Sequence, residues 1–345
     1  MTVTIKSPSV HHETPPQRLP GRVRALVLVR DQGLAVLLVL LVALFSAWAS
    51  PYFFTTSTGI SILNAAAITA IFAAGLGVGV MTGVLDLSVP GTAVLAAVVM
   101  AKLLTNGMPV AVAILAGVAV GLVVGVVNGL IAIRGLDPLI VTIAMLAIAS
   151  GLALIVAGGY DIGGLSQLEF LGTHHYLGIP APVWVTLALY GVLTVFLRYT
   201  RGGYRLLAVG GNAEGARRVG IRISLYRVLG FTISALCAAV GGIVSAAYVQ
   251  IGSPSASVGT IFSALTAVAL AGVPFTGGRG SLSRVLLGAI VLSTISTGLL
   301  LANVQTYWSS VATGVLLLGA VALNMWTTRT TLRLLLVSTS TRKAA

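Results

Sequence analysis

The amino-acid sequence predicts an all-α membrane protein, a polytopic bundle of about ten transmembrane helices with both termini cytoplasmic. Of its 345 residues, 57% are hydrophobic and only 8% are charged, whereas soluble domains carry about 25% charged residues. Mean hydropathy is +1.05, which leaves too little polar side chain to cover a water-soluble globule. Apolar stretches near the roughly 20 residues that a bilayer demands recur along the whole chain.

Those stretches lie near 33–50, 60–82, 89–105, 109–134, 138–157, 181–198, 226–250, 260–275, 283–302 and 306–326, the third and eighth being short. Residues 1–32 read as a disordered cytoplasmic tail. Pro8, Pro15, Pro16 and Pro20 and the run Arg18, Arg22, Arg24 and Arg30 offer nothing to bury. Ala47-Trp48-Ala49 resembles a signal-peptidase site, but the charged region before it is too long, so the first span reads as retained. The transmembrane domain covers 33–326 with a cytoplasmic loop at 199–226, and 327–345 reads as a cytoplasmic tail.

Charge orients the spans. With the N-terminus inside, the inner segments hold Lys6, the four tail arginines, Arg134, the seven arginines from Arg198 to Arg227, Arg279, Arg284, Arg329, Arg333, Arg342 and Lys343. Lys102 alone falls near an outer end, and the outer loop around 158–180 carries Asp161 and Glu169 without a lysine or arginine. Positive residues retained inside account for the net charge of +13. No basic, aromatic-interleaved patch invites nucleic acid.

The inventory of reactive groups excludes the common enzyme classes. Lys6, Lys102 and Lys343 follow no glycine, so a G-x-x-x-x-G-K-[ST] phosphate loop is impossible. His11/His12 and His174/His175 lack metal-ligand spacing, so neither a metal site nor catalytic residues are expected. Cys237 sits alone in an apolar run and reads as a small hydrophobe. Asp86 and Asp137 fall at cytoplasmic span ends, where water relieves their cost. The resulting lack of an intramembrane carboxylate speaks against a gradient-driven carrier.

Two patterns depart from plain apolar helices. Gly117, Gly121, Gly125 and Gly129 form one stripe of the fourth span, which suits close helix packing or a pore lining. Met81–Gly91 and Ala271–Gly280 interrupt one hairpin in each half. Paired interruptions point to a transport site, because unwound backbone offers polar groups at depth; two cytoplasmic turns are the alternative. Within 199–226, Asn212 can cap a short helix with Glu214 in its first turn, Arg217 and Arg218 near its end and Gly220 stopping it. Such a helix is a docking element, presenting Ala213, Ala216 and Val219 as apolar contacts; a solvated basic loop is the alternative.

The stretch Gly210-Gly-Asn-Ala-Glu-Gly-Ala-Arg-Arg-Val-Gly-Ile221 resembles the coupling loop of the ribose/xylose/arabinose/galactose-type ABC importer permeases. Three more segments match that family in order. They are Asp86-Leu-Ser-Val-Pro-Gly91, then Asn128-Gly-Leu through Pro138-Leu-Ile-Val-Thr-Ile-Ala-Met145 to Gly151-Leu-Ala153, then Thr276-Gly-Gly-Arg-Gly-Ser-Leu282 with Gly288. The resemblance covers about 60–326. Val84-Leu85, Pro90, Arg284 and the carboxylate-free Thr260-Ile-Phe-Ser263 depart from the family pattern.

The resemblance implies a permease subunit in a bacterial inner membrane, translocating a monosaccharide-like solute. It implies an ATPase subunit that holds the ATP and Mg, an extracytoplasmic solute-binding protein and a second permease copy; no cofactor is expected on this chain. Gly210, Gly211, Asn212, Glu214, Ala216, Arg217, Gly220 and Ile221 become the ATPase-coupling residues. Asp86, Ser88, Asn128, Thr142, Gly277 and Gly278 become candidates for the pathway or its gate. Permeases for branched-chain amino acids or nucleosides, and an ATP-independent carrier or channel, are the competing readings.

Overall fold

The structure, a computed structural model, describes the backbone of residues 21–343 and the side chains of 32–325. The expectations for 1–20 and for the last two residues lie outside the described residues. Helices dominate. In chain order they are α1 (Gly21–Trp48), α2 (Thr56–Thr82), α3 (Val89–Thr105), α4 (Val110–Ala132), α5 (Pro138–Ala157) and the short α6 (Glu169–Gly172). After a two-residue hairpin, β1 (His175–Tyr176) and β2 (Ile179–Pro180), come α7 (Ala181–Tyr199), α8 (Arg201–Gly211), α9 (Ala213–Arg218) and α10 (Ile223–Val249). The chain continues through α11 (Val258–Leu270), α12 (Leu282–Leu301) and α13 (Tyr307–Lys343). The protein is an all-α, multi-pass membrane protein.

Among the described residues, seven helices are long and apolar enough to cross a membrane: α2, α4, α5, α7, α10, α12 and the Tyr307–Met325 part of α13. The remaining three apolar stretches form shorter helices, Gln32–Trp48 within α1, α3 and α11. The stretch expected at 260–275 is corrected most. As the 13-residue α11 it is about 20 Å long, against roughly 30 Å of hydrocarbon. Gly272 at φ 70 and Pro274 end it early. At the two ends, helical backbone runs into stretches read as tails, from Gly21 in α1 and as far as Lys343 in α13.

α2 is the central helix, with 83% of its apolar 18-residue stretch buried, against 22% for that of α5 and 6% for that of the described part of α13. Its ends are well signalled: Thr55 accepts from Thr58 N, and Gly83 stops the helix at φ 81. Polar bonds tie it to α7, where Thr186 Oγ1 and Tyr190 OH donate to Ala67 O and Ala70 O, each at 3.0 Å. Side chains such as Ile140, Ile155, Val192 and Leu318 remain largely exposed; that apolar exterior suits lipid.

The glycine stripe of α4 faces α10. A Cβ on Gly121 would lie 2.6 Å from Ala235 O, one on Gly125 2.5 Å from Thr232 Cα, and one on Gly129 2.7 Å from Val228 Cα. Gly117 meets Ala96 O and the Ile243 side chain in the same way. Small residues let the two backbones touch where water supplies no driving force. Gly121→Ala must push α4 off α10 and is expected to cost about 1–3 kcal/mol, read as a lower thermal unfolding midpoint in detergent. Gly151→Ala, with nothing within 4 Å of its Cβ, should leave the midpoint unchanged or raise it.

Candidate functional site

The two interrupted hairpins meet at the arginine-rich end of the bundle, and the end of α8 lies between them. Gly278 N donates to Met81 O at 2.9 Å. Gly210 presses against that same carbonyl so closely that a Cβ would overlap Met81 O, and a Cβ on Gly278 would overlap Gly211. Gly277 and Gly278 hold φ of 84 and 82, a left-handed conformation open mainly to glycine. Three segments far apart in sequence thus lock backbone to backbone.

α8 is an 11-residue helix in a stretch that the sequence offered only as part of a loop. Thr200 caps it by accepting from Gly203 N at 3.1 Å, and Leu206 and Val209 bury its inner face. Asn212 then serves both as the end of α8, its N bonded to Ala208 O, and as the N-cap of α9, its Oδ1 accepting from Gly215 N at 2.8 Å. Glu214 pairs with Arg217 at 3.2 Å and Arg218 at 3.6 Å. Ile221 N bonds Ala216 O, and Gly220 turns the chain at φ 80. One expectation is corrected: Ala216 is only 5% exposed and anchors α9 to the body, while Val219, at 74%, faces outward. A helix that sits on the membrane domain must bury one of its small apolar residues inward.

Asp86 requires the larger correction. It was expected in a water-exposed turn, yet its exposure is 0%. The α2–α3 turn is covered because Gly210 of α8 lies against Gly83, Asn128 of α4 reaches in, and Val84 folds back to bond Gly79 O. Ser88 donates to Asp86 Oδ1 through its N, at 3.0 Å, and through its Oγ. Asn128 Nδ2 donates to Ser88 Oγ at 2.9 Å. Ser234 of α10 lies beside the same carboxyl without reaching hydrogen-bond geometry. Asp86 Oδ2, Asn128 Oδ1 and Ser234 Oγ have no partner among the described residues.

The six gate candidates therefore separate. Asp86, Ser88 and Asn128 form one hydrogen-bonded chain, and Gly277 and Gly278 join the glycine contact with α8. Thr142 is buried, but its hydroxyl donates to Pro138 O in its own helix.

A cavity of about 340 Å³ lies elsewhere, walled by α2, α3, α10, α11 and the segment before α11. Thr69, Ser245, Ser253, Ser255, Ser257, Thr260 and Ser263 bring hydroxyls to it, and no charged side chain lines it. Sequence reasoning missed these residues. The alternating Ser253, Ser255 and Ser257 ahead of the carboxylate-free Thr260–Ser263 stretch was the available signal.

Residues 59–321, from α2 into α13, match the family described as the permease component of the branched-chain amino acid transport system. The chain belongs to that permease family. It is 32% identical over 296 residues to the ribose import permease protein of Bacillus subtilis, covering 85% of this chain and 90% of that relative. The D-allose transport system permease protein of Escherichia coli is likewise 32% identical over 296 residues, with the same coverage. The L-arabinose transport system permease protein of E. coli is 34% identical over 259 residues, 74% of this chain and 79% of the relative. The permease is thus similar to sugar transport components along most of its length.

Two substitutions test the site. Asp86→Asn retains the shape and the acceptor for Ser88, so the permease should reach the membrane in normal amount while solute uptake falls severalfold; wild-type uptake would reduce the segment to a turn. Gly210→Ala places a methyl group on Met81 O and should lower the unfolding midpoint as well as uptake.

Proposed function

We propose that the chain is the translocating permease subunit of a bacterial ABC importer for an uncharged, monosaccharide-like solute. The hydroxyl-lined cavity is the observation that carries this reading. Its volume lies within the roughly 300–1,000 Å³ of small-molecule sites. A ring of hydroxyls can exchange hydrogen bonds with a polyol, whereas a zwitterionic amino acid would want charged partners of its own. The ribose, allose and arabinose relatives point the same way.

Energy in this reading comes from an ATPase subunit, with ATP and Mg bound there and not on this chain. An extracytoplasmic binding protein delivers the solute, and a second permease copy completes the pathway. The arginine-rich end then faces the cytoplasm across the inner membrane. α9 is the natural docking element. It projects Val219, Arg217 and Arg218 outward and hangs by Asn212 from the glycine contact that holds both interrupted hairpins.

The buried Asp86 favours a second reading, because an intramembrane carboxyl is what a gradient-driven carrier would place in its relay. Membership in a family of transport-system permease components weighs against it.

Proteoliposomes holding the permease, with and without its ATPase and binding protein, decide among these readings. ATP-dependent accumulation of ribose, allose or arabinose, with none of leucine, is the expected outcome. Leucine uptake would move the substrate to amino acids, and gradient-driven uptake without the ATPase would install the carrier. Gly215→Asp adds a carboxylate to α9 and should weaken ATPase co-purification by roughly 2 kcal/mol, the cost of disturbing a central interface contact, while insertion stays normal. An unchanged complex with full uptake would remove α9 from coupling.

A further inference from the structure

A second cavity, of about 490 Å³, opens at the arginine-rich end between the end of α4, the helix α9 and the start of α10. Arg217, Arg222 and Arg227 line it with Ser224, beside Ile133 and Ile223. Its positive charge is poorly compensated. Arg217 is held by Glu214, but Arg222 and Arg227 are exposed and have no side-chain partner among the described residues. Asp137, the carboxylate of the neighbouring α4–α5 turn, caps α5 through Leu139 N at 2.8 Å and pairs with no arginine among the described residues. The 27-residue α10 begins here without a side-chain cap, so the positive end of its dipole adds to the same field.

The surroundings decide which anion fits. Ile133, Leu136, Leu139, Ile140 and Leu225, on or beside the same helix ends, are 38% to 64% exposed. A small soluble anion would use only the arginines. A phospholipid would use both features, its phosphate on the guanidinium groups and its acyl chains along the apolar side chains.

We propose that this cavity binds an anionic phospholipid, gripping its phosphate diester through Arg222 and Arg227, while the same positive field repels the ammonium of a zwitterionic headgroup. Basic pockets between helices at the membrane surface suit such headgroups, and the planar guanidinium donates two parallel hydrogen bonds to a phosphate. Ala213 and Arg217 of α9 form one wall, so the bound lipid braces the base of that helix. The assignment is independent of the solute.

The test uses the full-length protein in detergent, titrated with phosphatidylglycerol, phosphatidylcholine or inorganic phosphate. Thermal unfolding and native mass spectrometry are the readouts. Phosphatidylglycerol should raise the unfolding midpoint and give a retained lipid adduct, while phosphatidylcholine and phosphate should do neither. The double variant Arg222→Gln/Arg227→Gln should lose most of that shift and keep the lipid-free midpoint. Arg222→Lys/Arg227→Lys should keep a larger part of the shift, and it serves as the test pair if the glutamine variant unfolds. An equal shift with phosphatidylcholine or phosphate, or a full shift in the glutamine variant, overturns the proposal. A glutamine variant that keeps the full lipid shift but loses its ATPase would mark the cavity as a protein contact, which overturns it equally.

Discussion

The carbonyl oxygen of Met81 is the point on which the arginine-rich end is built. It accepts the amide of Gly278 and leaves Gly210 no room for a side chain. The central helix α2, the helix α8 and the α11–α12 connection therefore share one backbone contact. In lipid, association depends on such close packing and on hydrogen bonds, since the surrounding tails are as apolar as the helices themselves. A methyl group at this point would separate all three segments at once. The constraint explains why glycines, and not larger residues, stand at 210, 277 and 278.

The same contact permits a carboxyl to be buried. Burying a polar group without partners costs several kcal/mol, and Asp86 is fully buried. Its Oδ1 is satisfied twice by Ser88, which Asn128 holds in turn. Its Oδ2 is left without a partner among the described residues. A carboxyl left half-satisfied on the turn that α8 covers does not serve stability.

The bundle was legible because its signals are local. Apolar run length gave the helix positions within a few residues for α4, α5, α7 and α12. The cap at Asn212 and the stop at Gly220 marked α9, and the four-residue spacing of Gly117 to Gly129 marked a packing face. What stayed hidden depends on contacts between distant segments. α8 looked like a loop because Gly202, Gly203, Gly210 and Gly211 depress helix propensity; close contact with α7 and α2 overrides that preference. Asp86 looked solvated because a turn between spans normally lies at the surface, and no local pattern announces that α8 lies across it. The hydroxyl cavity was missed because scattered serines carry no weight until four helices bring them together.

α2 and α10 give these separate features a common frame. Ile68, Thr69 and Phe72 of α2 line the hydroxyl cavity, and Met81 ends the same helix at the glycine contact. Nine residues of helix place Phe72 and Met81 about 14 Å apart. A continuous buried helix is stiff, so in the proposed importer a shift of α8 against Met81 would carry toward one wall of the cavity. α10 repeats the arrangement: Ser245 faces the cavity, Ser234 lies beside Asp86, and Arg222 and Arg227 meet α9 at its start. In the proposed importer, a partner that pulls on α9 needs no separate relay to reach the solute. Of the four helices that wall the cavity, α10 begins beside α9 and α2 ends at the glycine contact from which α9 hangs.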